Sequence, residues 1–369
     1  MRTSHLAGDG GRWLAAITFS EHGGGVAQVS RVMWEVLRRR WSDSAGLLTL
    51  MDDGVEEPSP RADLSRRVGF GLRAAHVQAR RSSRWMLFSH LGLARVQAYL
   101  PTAMQVPYAV FLHGVEAWKP LRPSERTALR RAALRIANSQ TTADRFLRRN
   151  PEVGRVDVCP LALPPTAPGP GSPPAEDPDM LPSALIVGRM DSRERYKGHD
   201  QLLEVWPGVI ARVPGARLTI VGEGDDAPRL RSVAAARGLD RHVTFVGFLS
   251  PERLDAAYRA ASVFAMPSRG EGFGLAYIEA MSHGLPCIGS TDDAAAEVIA
   301  DGETGFLVPQ SDRTALTQRL VLLLTDASVR VRMGLNALRT VRERYTFDRF
   351  ASRLESLIAE RLEPPGCAS

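Results

Sequence analysis

Residues 263–298 read VFAMPSRGEGFGLAYIEAMSHGLPCIGSTDDAAAEV, and this stretch decides the fold. The apolar run at 263–266 stops at a proline and is typical of a buried strand. A glycine-rich loop follows, and Leu275–Ser282 then has the pattern of a helix, which a Gly-Leu-Pro triplet ends. A second apolar strand is predicted at 286–289. The stretch therefore predicts a β-loop-α-β unit whose glycine-rich loop lies at the carboxyl end of a strand, where open α/β sheets bind ligands.

Two carboxylates bracket the start of the predicted helix, Glu271 on the loop and Glu279 in the second helical turn. The amide groups of Gly274 and Leu275 lie at the amino end of that helix, where N–H donors can hold a phosphate. A carboxylate beside such a site can accept hydrogen bonds from sugar hydroxyls. The unit thus suits a nucleotide-sugar, with the diphosphate on the helix end and one glutamate on each sugar. The same residues also fit a tight α/β turn with a solvated glutamate, because a lone glycine motif is weakly specific.

The rest of the chain has the organisation of two domains. Its 369 residues suffice for two separate cores, and nine prolines between positions 160 and 182 predict a linker. Strand-like and helix-like segments alternate on both sides of that linker, which predicts a parallel, doubly wound sheet in each half. We expect an α/β fold with a first domain at 1–163, a linker at 164–182 and a second domain that begins at 183.

Composition and cysteine usage favour a protein of a reducing compartment. Apolar residues make up 44% and charged residues 24% of the chain, values that are ordinary for a globular protein. No apolar run approaches the roughly 18 residues of a spanning helix, and the start, MRTSHLAGDGGRW, lacks the apolar core of a signal peptide. The three cysteines have neither metal-ligand spacing nor a disulfide framework. We expect a cytoplasmic protein.

Charge is distributed unevenly along the chain. Residues 1–163 hold 24 Lys and Arg against 14 Asp and Glu, a balance of +10, whereas the remainder holds 23 against 27, a balance of −4. A basic half favours an anionic neighbour, either a membrane surface or a nucleic acid. No nucleic-acid recognition motif is present, so we expect no nucleic-acid partner.

Arginines concentrate in a segment at 64–88, which we predict to be a helical region. Six of them lie there: Arg66, Arg67, Arg73, Arg80, Arg81 and Arg84. Four apolar residues fall near one face: Leu64, Val68, Leu72 and Ala75. A basic amphipathic helix can lie on an anionic membrane, and the alternative is a surface helix with a solvated face, since two internal glycines weaken the helix prediction. With the charge balance, the segment predicts peripheral contact with the inner face of the cell membrane.

Two features of the first half are candidates for ligand contact. Gly24 and Gly25 belong to a run of three glycines between a predicted strand and a predicted helix, where the backbone can approach a ligand closely. The spacing is not that of the dinucleotide fingerprint, and a flexible turn is the alternative. His113 ends the apolar strand predicted at 107–113 and precedes a glycine, which places its imidazole at a ligand-facing edge.

Short motifs follow one another along the second half in a fixed order. They are Gly188-Arg189, Lys197-Gly198, Val221-Gly222-Glu223-Gly224, Phe245-Val246-Gly247, Pro267-Ser268, Glu271-Gly272-Phe273-Gly274, Glu279-Ala280-Met281 and Gly302-Glu303-Thr304-Gly305-Phe306-Leu307-Val308. In this order the chain resembles the retaining GT-B glycosyltransferases of family GT4, and the first half matches loosely through its glycine run and His113-Gly114. The resemblance implies two Rossmann-like doubly wound domains facing a cleft, the second at 183–345, with a final helix at 346–369 that crosses back to the first.

Carried over residue by residue, the resemblance implies a catalytic set of His113, Arg189, Lys197 and Glu271. Arg189 and Lys197 would bind the donor diphosphate and neutralise the leaving nucleotide, so no metal ion and no other cofactor is expected. Glu271 would contact hydroxyls of the donor sugar, and His113 its C6 hydroxyl near the reacting centre. Lys197 is one of only two lysines in an arginine-rich chain, which favours a chemical role for it.

The resemblance also implies a wider set of donor contacts, in which Glu279 would bind the nucleotide ribose. The set comprises Gly24, Gly25, Gly188, Val246, Gly247, Gly272, Phe273, Gly274, Leu275 and Glu279. The chain departs from the family in one place. Family members often carry a Gly-Gly pair before the glutamate that is Glu297 here, but residues 292–296 read DDAAA, so we expect a different pocket wall.

The resemblance implies a retaining, metal-independent glycosyltransferase. It would move a hexosyl unit of the mannosyl or glucosyl type from a UDP- or GDP-linked sugar to a glycan or lipid-linked acceptor, in cell-surface polysaccharide or glycolipid synthesis. A GT-B nucleotide-sugar epimerase is the first alternative, although that chemistry requires further acid/base carboxylates in the first half. A non-catalytic nucleotide-sugar-binding module is the second, and it would bind nucleotide without turnover.

Overall fold

The chain divides into two compact units, residues 1–165 with 347–369 and residues 166–346. The computed structural model describes residues 11–20, 24–51, 60–80, 83–165 and 181–363. The predicted linker at 164–182 lies for the most part outside these described residues. Each unit is built on its own parallel sheet of six strands.

The sheet of the first unit has the strand order β2-β1-β3-β4-β5-β6, and all its neighbours are parallel. Its strands are β1 Gly11–Ala16, β2 Ala45–Thr49, β3 Ser83–Phe88, β4 Tyr108–Leu112, β5 Leu134–Ala137 and β6 Asp157–Val158. The chain passes from β1 to β2 on one side and then crosses to β3 on the other. The order therefore reverses between β1 and β3, and the carboxyl ends of these strands border a switch point.

Helices cover both faces of this sheet, so its central strands are apolar along their whole length. The first five helices are α1 Gly24–Trp41, α2 Pro60–Ala79, α3 Leu91–Ala94, α4 Pro123–Arg131 and α5 Gln140–Arg149. Large side chains fill the interior, among them Trp85, Phe88, Tyr108 and Phe111, each at most 2% exposed. The Tyr108 hydroxyl donates to the carbonyl of Ala128 at 2.6 Å, and burial raises the pKa of this phenol above its usual value. The buried phenol is thus satisfied as a neutral donor.

The helical region predicted at 64–88 is wrong in its second part. Helix α2 ends at Ala79, and Ser83–Phe88 forms strand β3 between β1 and β4. Trp85, Met86, Leu87 and Phe88 are all 0% exposed. A short, uninterrupted apolar run bears no periodicity that separates a buried strand from a buried helix, and its aromatic content favours the strand. Arg84 therefore belongs to the sheet and not to the basic helix, while Arg81 lies outside the described residues.

The sheet of the second unit has the strand order β12-β11-β10-β7-β8-β9, again with parallel neighbours. Its strands are β7 Ser183–Val187, β8 Arg217–Val221, β9 Val243–Gly247, β10 Val263–Ala265, β11 Cys287–Ser290 and β12 Gly305–Val308. The chain builds outward from β7 to β9 and then returns to place β10 on the other side of β7. The switch point of this unit therefore lies between the carboxyl ends of β7 and β10.

Seven helices accompany the second sheet in the described part of the unit. They are α6 His199–Ile210, α7 Ala227–Ala236, α8 Pro251–Arg259, α9 Leu275–Ser282, α10 Ala295–Val298, α11 Arg313–Thr325 and α12 Ala327–Arg344. The β-loop-α-β unit predicted at 263–298 is confirmed as β10, α9 and β11. The α/β class and the doubly wound parallel sheet of each half are also confirmed.

The last helix, α13 Phe347–Arg361, belongs to the first unit. The Cys159 thiol donates to the carbonyl of Phe350, and Arg353 Nε donates to the carbonyl of Val158 at 3.0 Å. Just past the helix, the Glu363 carboxylate accepts from Trp85 Nε1 at 3.0 Å. Polar contacts therefore fix the helix along β6 and β3. Within the described ranges, no helix combines the length and apolar character needed to cross a bilayer.

Leu354 of α13 is 0% exposed, so Leu354→Ala tests how strongly this helix stabilises the first unit. Loss of a fully buried leucine costs about 2–5 kcal/mol, and we expect that decrease in the free energy of unfolding. Leu72 on α2 of the same unit is 67% exposed and supplies the control, for which Leu72→Ala should change stability by less than about 0.5 kcal/mol. Five of the six tryptophans lie before residue 165, so tryptophan fluorescence in a urea titration follows the first unit. Equal decreases in the free energy of unfolding for the two substitutions would contradict the assignment of α13 to the core of the first unit.

Candidate functional site

Segments from two loops, one after β7 and one after β10, meet at the switch point of the second unit. Gly198 follows a single 3₁₀ turn and has a φ of 100°, and a Cβ at this position would lie 2.8 Å from the ring of Pro267. Only glycine accepts both the backbone conformation and this approach. The Arg269 N–H donates to the carbonyl of Tyr196 at 3.1 Å and joins the same two loops. Lys197 is thereby held beside the loop that follows β10.

The Lys197 ammonium and the Glu271 carboxylate form an ion pair, with Nζ and Oε1 2.7 Å apart. Both side chains are 15% exposed, so water screens the pair only weakly. Burial alone would lower the pKa of Lys197, but the charge and hydrogen bond of Glu271 outweigh it and raise that pKa above its usual value. The lysine is therefore a permanent cation, and an ammonium offers three donors, enough for a carboxylate and a phosphate together.

Gly188 and Arg189 complete the cationic side of the site. They follow β7, and a Cβ on Gly188 would lie 3.3 Å from Cδ of Lys197, so the lysine stem crosses over this glycine. Arg189 Nη2 pairs with Glu194 Oε1 at 2.6 Å, and the arginine side chain is 61% exposed. An exposed guanidinium with a planar set of donors can bind an anion in a forked geometry. The structure therefore places two predicted phosphate ligands, Arg189 and Lys197, on neighbouring segments.

The amino end of α9 lies on the same loop as Glu271. Gly274 occupies the N-cap with a φ of 95°, and a Cβ there would lie 2.4 Å from the Tyr277 ring, so the tight entry into the helix requires glycine. Phe273 is 3% exposed and packs edge-on against Tyr345 at 5.8 Å between ring centroids. The first amides of α9, from Leu275 onward, lie at the positive end of the helix dipole and can bind an anion.

Glu279 contacts a different partner from Glu271. The Tyr258 hydroxyl donates to Glu279 Oε2 at 3.0 Å, and burial, together with the Glu279 charge, raises the pKa of that phenol well above its usual value. The His283 ring stacks on Tyr258 at 4.9 Å and its Nε2 lies 2.8 Å from Asp255. Tyr258 is thus a fixed neutral donor that sets the orientation of the Glu279 carboxylate.

Val246 and Gly247 lie at the carboxyl end of β9, two strands away from β7. Val246 is 38% exposed. The Glu223 carboxylate, after β8, accepts from the N–H of Phe248 at 3.3 Å. These residues border the same edge of the sheet as Lys197, although no described contact joins them to it.

The predicted site residues of the first unit form a separate group. Gly24 and Gly25 begin α1, and Gly24 has a φ of 62°, whereas the first glycine of the run lies outside the described residues. His113 follows β4, and its Nε2 lies 2.6 Å from the carbonyl of Ser89. A carbonyl can only accept, so Nε2 carries the proton and Nδ1 of the neutral ring is an acceptor. His113 can therefore accept a hydrogen bond from a hydroxyl.

Two neighbours of His113 were not predicted. The His90 ring stacks on it at 6.0 Å between centroids, and His90 Nδ1 accepts from the N–H of Gly92 at 2.9 Å. Burial lowers the pKa of His90, against the opposing charge of Glu116. The Glu116 carboxylate accepts from the N–H of His113 at 2.5 Å. The sequence could have indicated His90 by its position just after strand β3. That position has meaning only once β3 is identified as a strand.

Polar residues beneath the Lys197–Glu271 pair were also missed. Gln310 is 6% exposed, and its Nε2 donates to the carbonyls of Tyr196 and Pro267, both at 2.9 Å. His199 is 3% exposed at the start of α6, and burial, with the Lys197 charge, lowers its pKa to about 4. His199 directly follows the Lys197-Gly198 motif, which was the available signal for it, whereas Gln310 belongs to no motif.

A family model described as Glycosyl transferases group 1 matches residues 182–326. In Mycolicibacterium smegmatis, a GDP-mannose-dependent alpha-(1-6)-phosphatidylinositol monomannoside mannosyltransferase is 31% identical over 276 residues, which cover 68% of this chain and 69% of that relative. A phosphatidyl-myo-inositol mannosyltransferase of Mycobacterium leprae is 39% identical over 178 residues, which cover 48% of this chain and 46% of that relative. The chain spans about half the length of most of the curated relatives it matches.

Two solved structures are similar over nearly the whole chain. Sucrose-phosphate synthase from Thermosynechococcus elongatus gives a TM-score of 0.78 at 22% identity, over 95% of this chain and 98% of that one. Anabaena HepE in complex with UDP and glucose gives a TM-score of 0.71 at 16% identity, over 94% of this chain and 99% of that one. At these identities the likeness shows the shared fold.

The partly buried Lys197–Glu271 pair should be energetically coupled. In a double-mutant cycle of Lys197→Ala and Glu271→Ala, we expect a coupling energy of about 1–3 kcal/mol, because each single substitution leaves a charge in poorly hydrated surroundings. The matched control is Arg193–Asp191 of the same unit, whose arginine is 85% exposed and whose coupling should be much smaller. Denaturant unfolding measures both cycles. Equal coupling in the two pairs would show that Lys197 and Glu271 are fully solvated.

Proposed function

Because the chain belongs to the glycosyl transferases group 1 family (GT4) and has its GT-B fold, we propose that it transfers a hexosyl unit from a nucleotide-diphosphate sugar to an acceptor hydroxyl. One observation carries the proposal: the Lys197–Glu271 ion pair lies on the same loop system as the amino end of α9. A cation and helix amides suit a diphosphate, and a carboxylate suits the sugar attached to it.

In this proposal the donor is held in parts by separate residues. Lys197 and Arg189 bind the diphosphate, Glu271 accepts from hydroxyls of the transferred sugar, and Glu279 binds the nucleotide ribose. The backbone of the loop at 272–275, with Gly188, Val246 and Gly247, completes the pocket. The positive charge on the diphosphate comes from the protein, so the proposed reaction requires no metal ion and no cofactor beyond the donor.

The proposed reaction retains the configuration of the transferred sugar. The acceptor hydroxyl attacks the anomeric carbon on the face from which the nucleotide leaves, and the bond between that carbon and the phosphate oxygen breaks. The departing phosphate oxygen takes the proton of the hydroxyl, while Lys197 and Arg189 stabilise its growing negative charge. For the first unit, we propose that His113 Nδ1 accepts a hydrogen bond from a sugar hydroxyl and that Gly24 and Gly25 allow close approach of a ligand to the backbone.

The names of the relatives support a particular donor and acceptor. One is called GDP-mannose-dependent, and both act, by name, on phosphatidylinositol lipids. We therefore favour a mannosyl unit from a GDP-linked donor and a lipid-linked acceptor, with a glucosyl unit and a UDP-linked donor as the second choice. Such a reaction belongs to glycolipid or cell-surface polysaccharide synthesis in the cytoplasm, at the inner face of the membrane.

The outer face of α2 supports peripheral contact with an anionic membrane. Leu64, Val68 and Leu72 recur every four residues and are 64%, 54% and 67% exposed. Phe70 and Ala74, on the opposite face, are at most 4% exposed and anchor the helix in the core. An exposed apolar stripe on a well-anchored helix is unusual for a surface that contacts only water. Exposed arginines lie beside it: Arg67, Arg73 and Arg80. The charge suits acidic lipid headgroups and the stripe suits the acyl boundary beneath them.

Substitutions of Lys197 and Glu271 should differ in their effects on turnover and on affinity for free nucleotide. Lys197→Ala should lower turnover about 10²–10³-fold and weaken binding of free GDP, because the ammonium meets a charge that grows in the transition state. Glu271→Ala should lower turnover but leave GDP affinity largely unchanged, because this carboxylate contacts the sugar. Turnover is measured with GDP-mannose and with UDP-glucose in excess EDTA, and affinity for GDP and UDP by calorimetry. Loss of nucleotide binding in Glu271→Ala alone would reverse the two roles.

The outcome with the unmodified chain separates the remaining alternatives. Nucleotide binding without any transfer would indicate a binding module, and interconversion of the donor sugar would indicate an epimerase. Activity that disappears in EDTA and returns with magnesium or manganese would overturn metal independence.

Replacement of Leu64, Val68 and Leu72 together by serine should weaken binding to phosphatidylglycerol vesicles by about tenfold or more, because apolar burial is lost. Added salt should weaken binding of the unmodified chain, since the arginines act through screened charge. Leu335→Ser is the control, because Leu335 is exposed on α12 of the other unit. Co-sedimentation measures all three proteins. Equal binding to phosphatidylglycerol and phosphatidylcholine vesicles would contradict the role of the arginines.

A further inference from the structure

A buried aspartate lies directly behind the Glu271 loop. Asp293 follows β11, precedes α10 and is 3% exposed. Its Oδ2 accepts from the N–H of Glu271 at 2.9 Å, and its Oδ1 accepts from the N–H of Ala295 at 3.0 Å. The Ser268 side chain also forms a hydrogen bond with this carboxyl group. A carboxylate only accepts, so donors from the β10 loop and from α10 converge on it.

The main chain of Glu271 is held on both sides by this segment. While the Glu271 N–H donates to Asp293, the Glu271 carbonyl accepts from the N–H of Ala294 at 3.2 Å. The Glu271 side chain continues outward to Lys197. The loop residue therefore has its backbone fixed to Asp293 and Ala294 and its carboxylate fixed to the cation of the site.

This anchor occupies the position where the chain departs from the family pattern. A Gly-Gly pair has no side-chain acceptor, so it cannot receive the Glu271 N–H in this way. The sequence DDAAA at 292–296 supplies that acceptor, and Asp292 adds a second one, because its Oδ2 accepts from the N–H of Gln310 at 3.0 Å. Gln310 in turn binds the carbonyls of Tyr196 and Pro267. The residues at 292–296 are thus linked by hydrogen bonds, directly or through Gln310, to both loops that form the ion pair.

We propose that Asp293 is a positioning residue, which fixes the main chain of Glu271 and so aims the Glu271 carboxylate at Lys197 and at the donor sugar. The part of the proposal that concerns turnover rests on the glycosyltransferase function. The part that concerns the loop does not, because the order of the loop can be measured without substrate.

The environment of Asp293 makes its hold on the main chain of Glu271 sensitive to pH. Burial raises the pKa of Asp293 to about 7, although the hydrogen bonds from Glu271, Ala295 and Ser268 act in the opposite direction and the Glu271 charge adds to the rise. The ionisable groups that face it are Glu271, on the β10 loop, and Tyr277, on α9. Lys197 lies beyond Glu271 and is paired with it. Protonation turns one acceptor oxygen into a donor that faces other donors, so the ionised form holds the loop.

Activity and stability should therefore respond to pH in opposite directions through this group. Turnover should rise as pH increases through about 7, because the carboxylate forms. The pKa of Asp293 in the folded state lies above the ordinary value of 3.8, so the folded state binds the proton more tightly than the unfolded state does. The stability from Asp293 is then complete below the unfolded pKa and is lost as pH rises through about 7.

The test uses Asp293→Asn, which keeps the shape but sets an amide N–H₂ against one of the two backbone donors. Hydrogen exchange of the full chain, without ligand, should show faster exchange in the peptide that spans 268–274. Turnover should fall by on the order of 10–10²-fold, as for a misplaced catalytic group, and its rise with pH should disappear. Affinity for free GDP should stay unchanged. Asp301→Asn is the matched control, because Asp301 Oδ1 also accepts one backbone N–H, from Leu307 at 2.9 Å, in another loop.

A milder variant protects the test against failure to fold. Ser268→Ala removes a hydrogen bond that lowers the pKa of Asp293, so the midpoint of the turnover–pH curve should move to higher pH. Unchanged exchange at 268–274 in Asp293→Asn would overturn the positioning role of Asp293. An unmoved midpoint in Ser268→Ala would contradict its pH dependence. Faster exchange at 268–274 in Asp293→Asn, together with no turnover of any nucleotide-sugar by the unmodified chain, would support the positioning role of Asp293 and contradict the glycosyltransferase function.

Discussion

The ion pair between Lys197 and Glu271 is the interaction on which the second unit's site depends. Its 2.7 Å separation requires two loops, one after β7 and one after β10, to meet at a switch point of the sheet. Gly198 permits the approach by lying against Pro267, and Gln310 ties the two loops through their carbonyls. Two opposite charges in poorly hydrated surroundings are stable only while both are present. The pair is therefore a constraint on the backbone that keeps a cation and a carboxylate side by side.

Much of this arrangement could be predicted from the sequence because the signals were local. The bounds of α9 follow from Gly274 before it and the Gly-Leu-Pro triplet after it, and the structure confirms them. The strand β3 was misassigned, because the apolar run at its centre has no period and lies next to a true helix. That error also concealed His90, whose position is meaningful only at the end of a strand.

Other residues of the site could not be predicted for a different reason. Asp293 and Gln310 act on loops that are distant in sequence, Gln310 on a turn 114 residues away. Nothing in the local pattern distinguishes a buried aspartate from a solvated one, because burial is decided by the strand order. The departure at 292–296 was visible in the sequence, but its consequence required the register of β11 beside β10. The sequence therefore predicts which residues follow each strand, and the topology decides which of them meet.

The placement of α13 has a consequence for how the chain acquires its fold during synthesis. The first unit is built from residues 1–165 and 347–369, so its two parts are synthesised before and after the second unit. Domains commonly fold as they emerge from the ribosome, from the amino terminus onward. Here the second unit is complete in sequence before the first one is, because Phe350, Leu354 and Ile358, all at most 2% exposed, are synthesised after it. Until these residues emerge, the apolar surface that they cover in the folded first unit remains exposed.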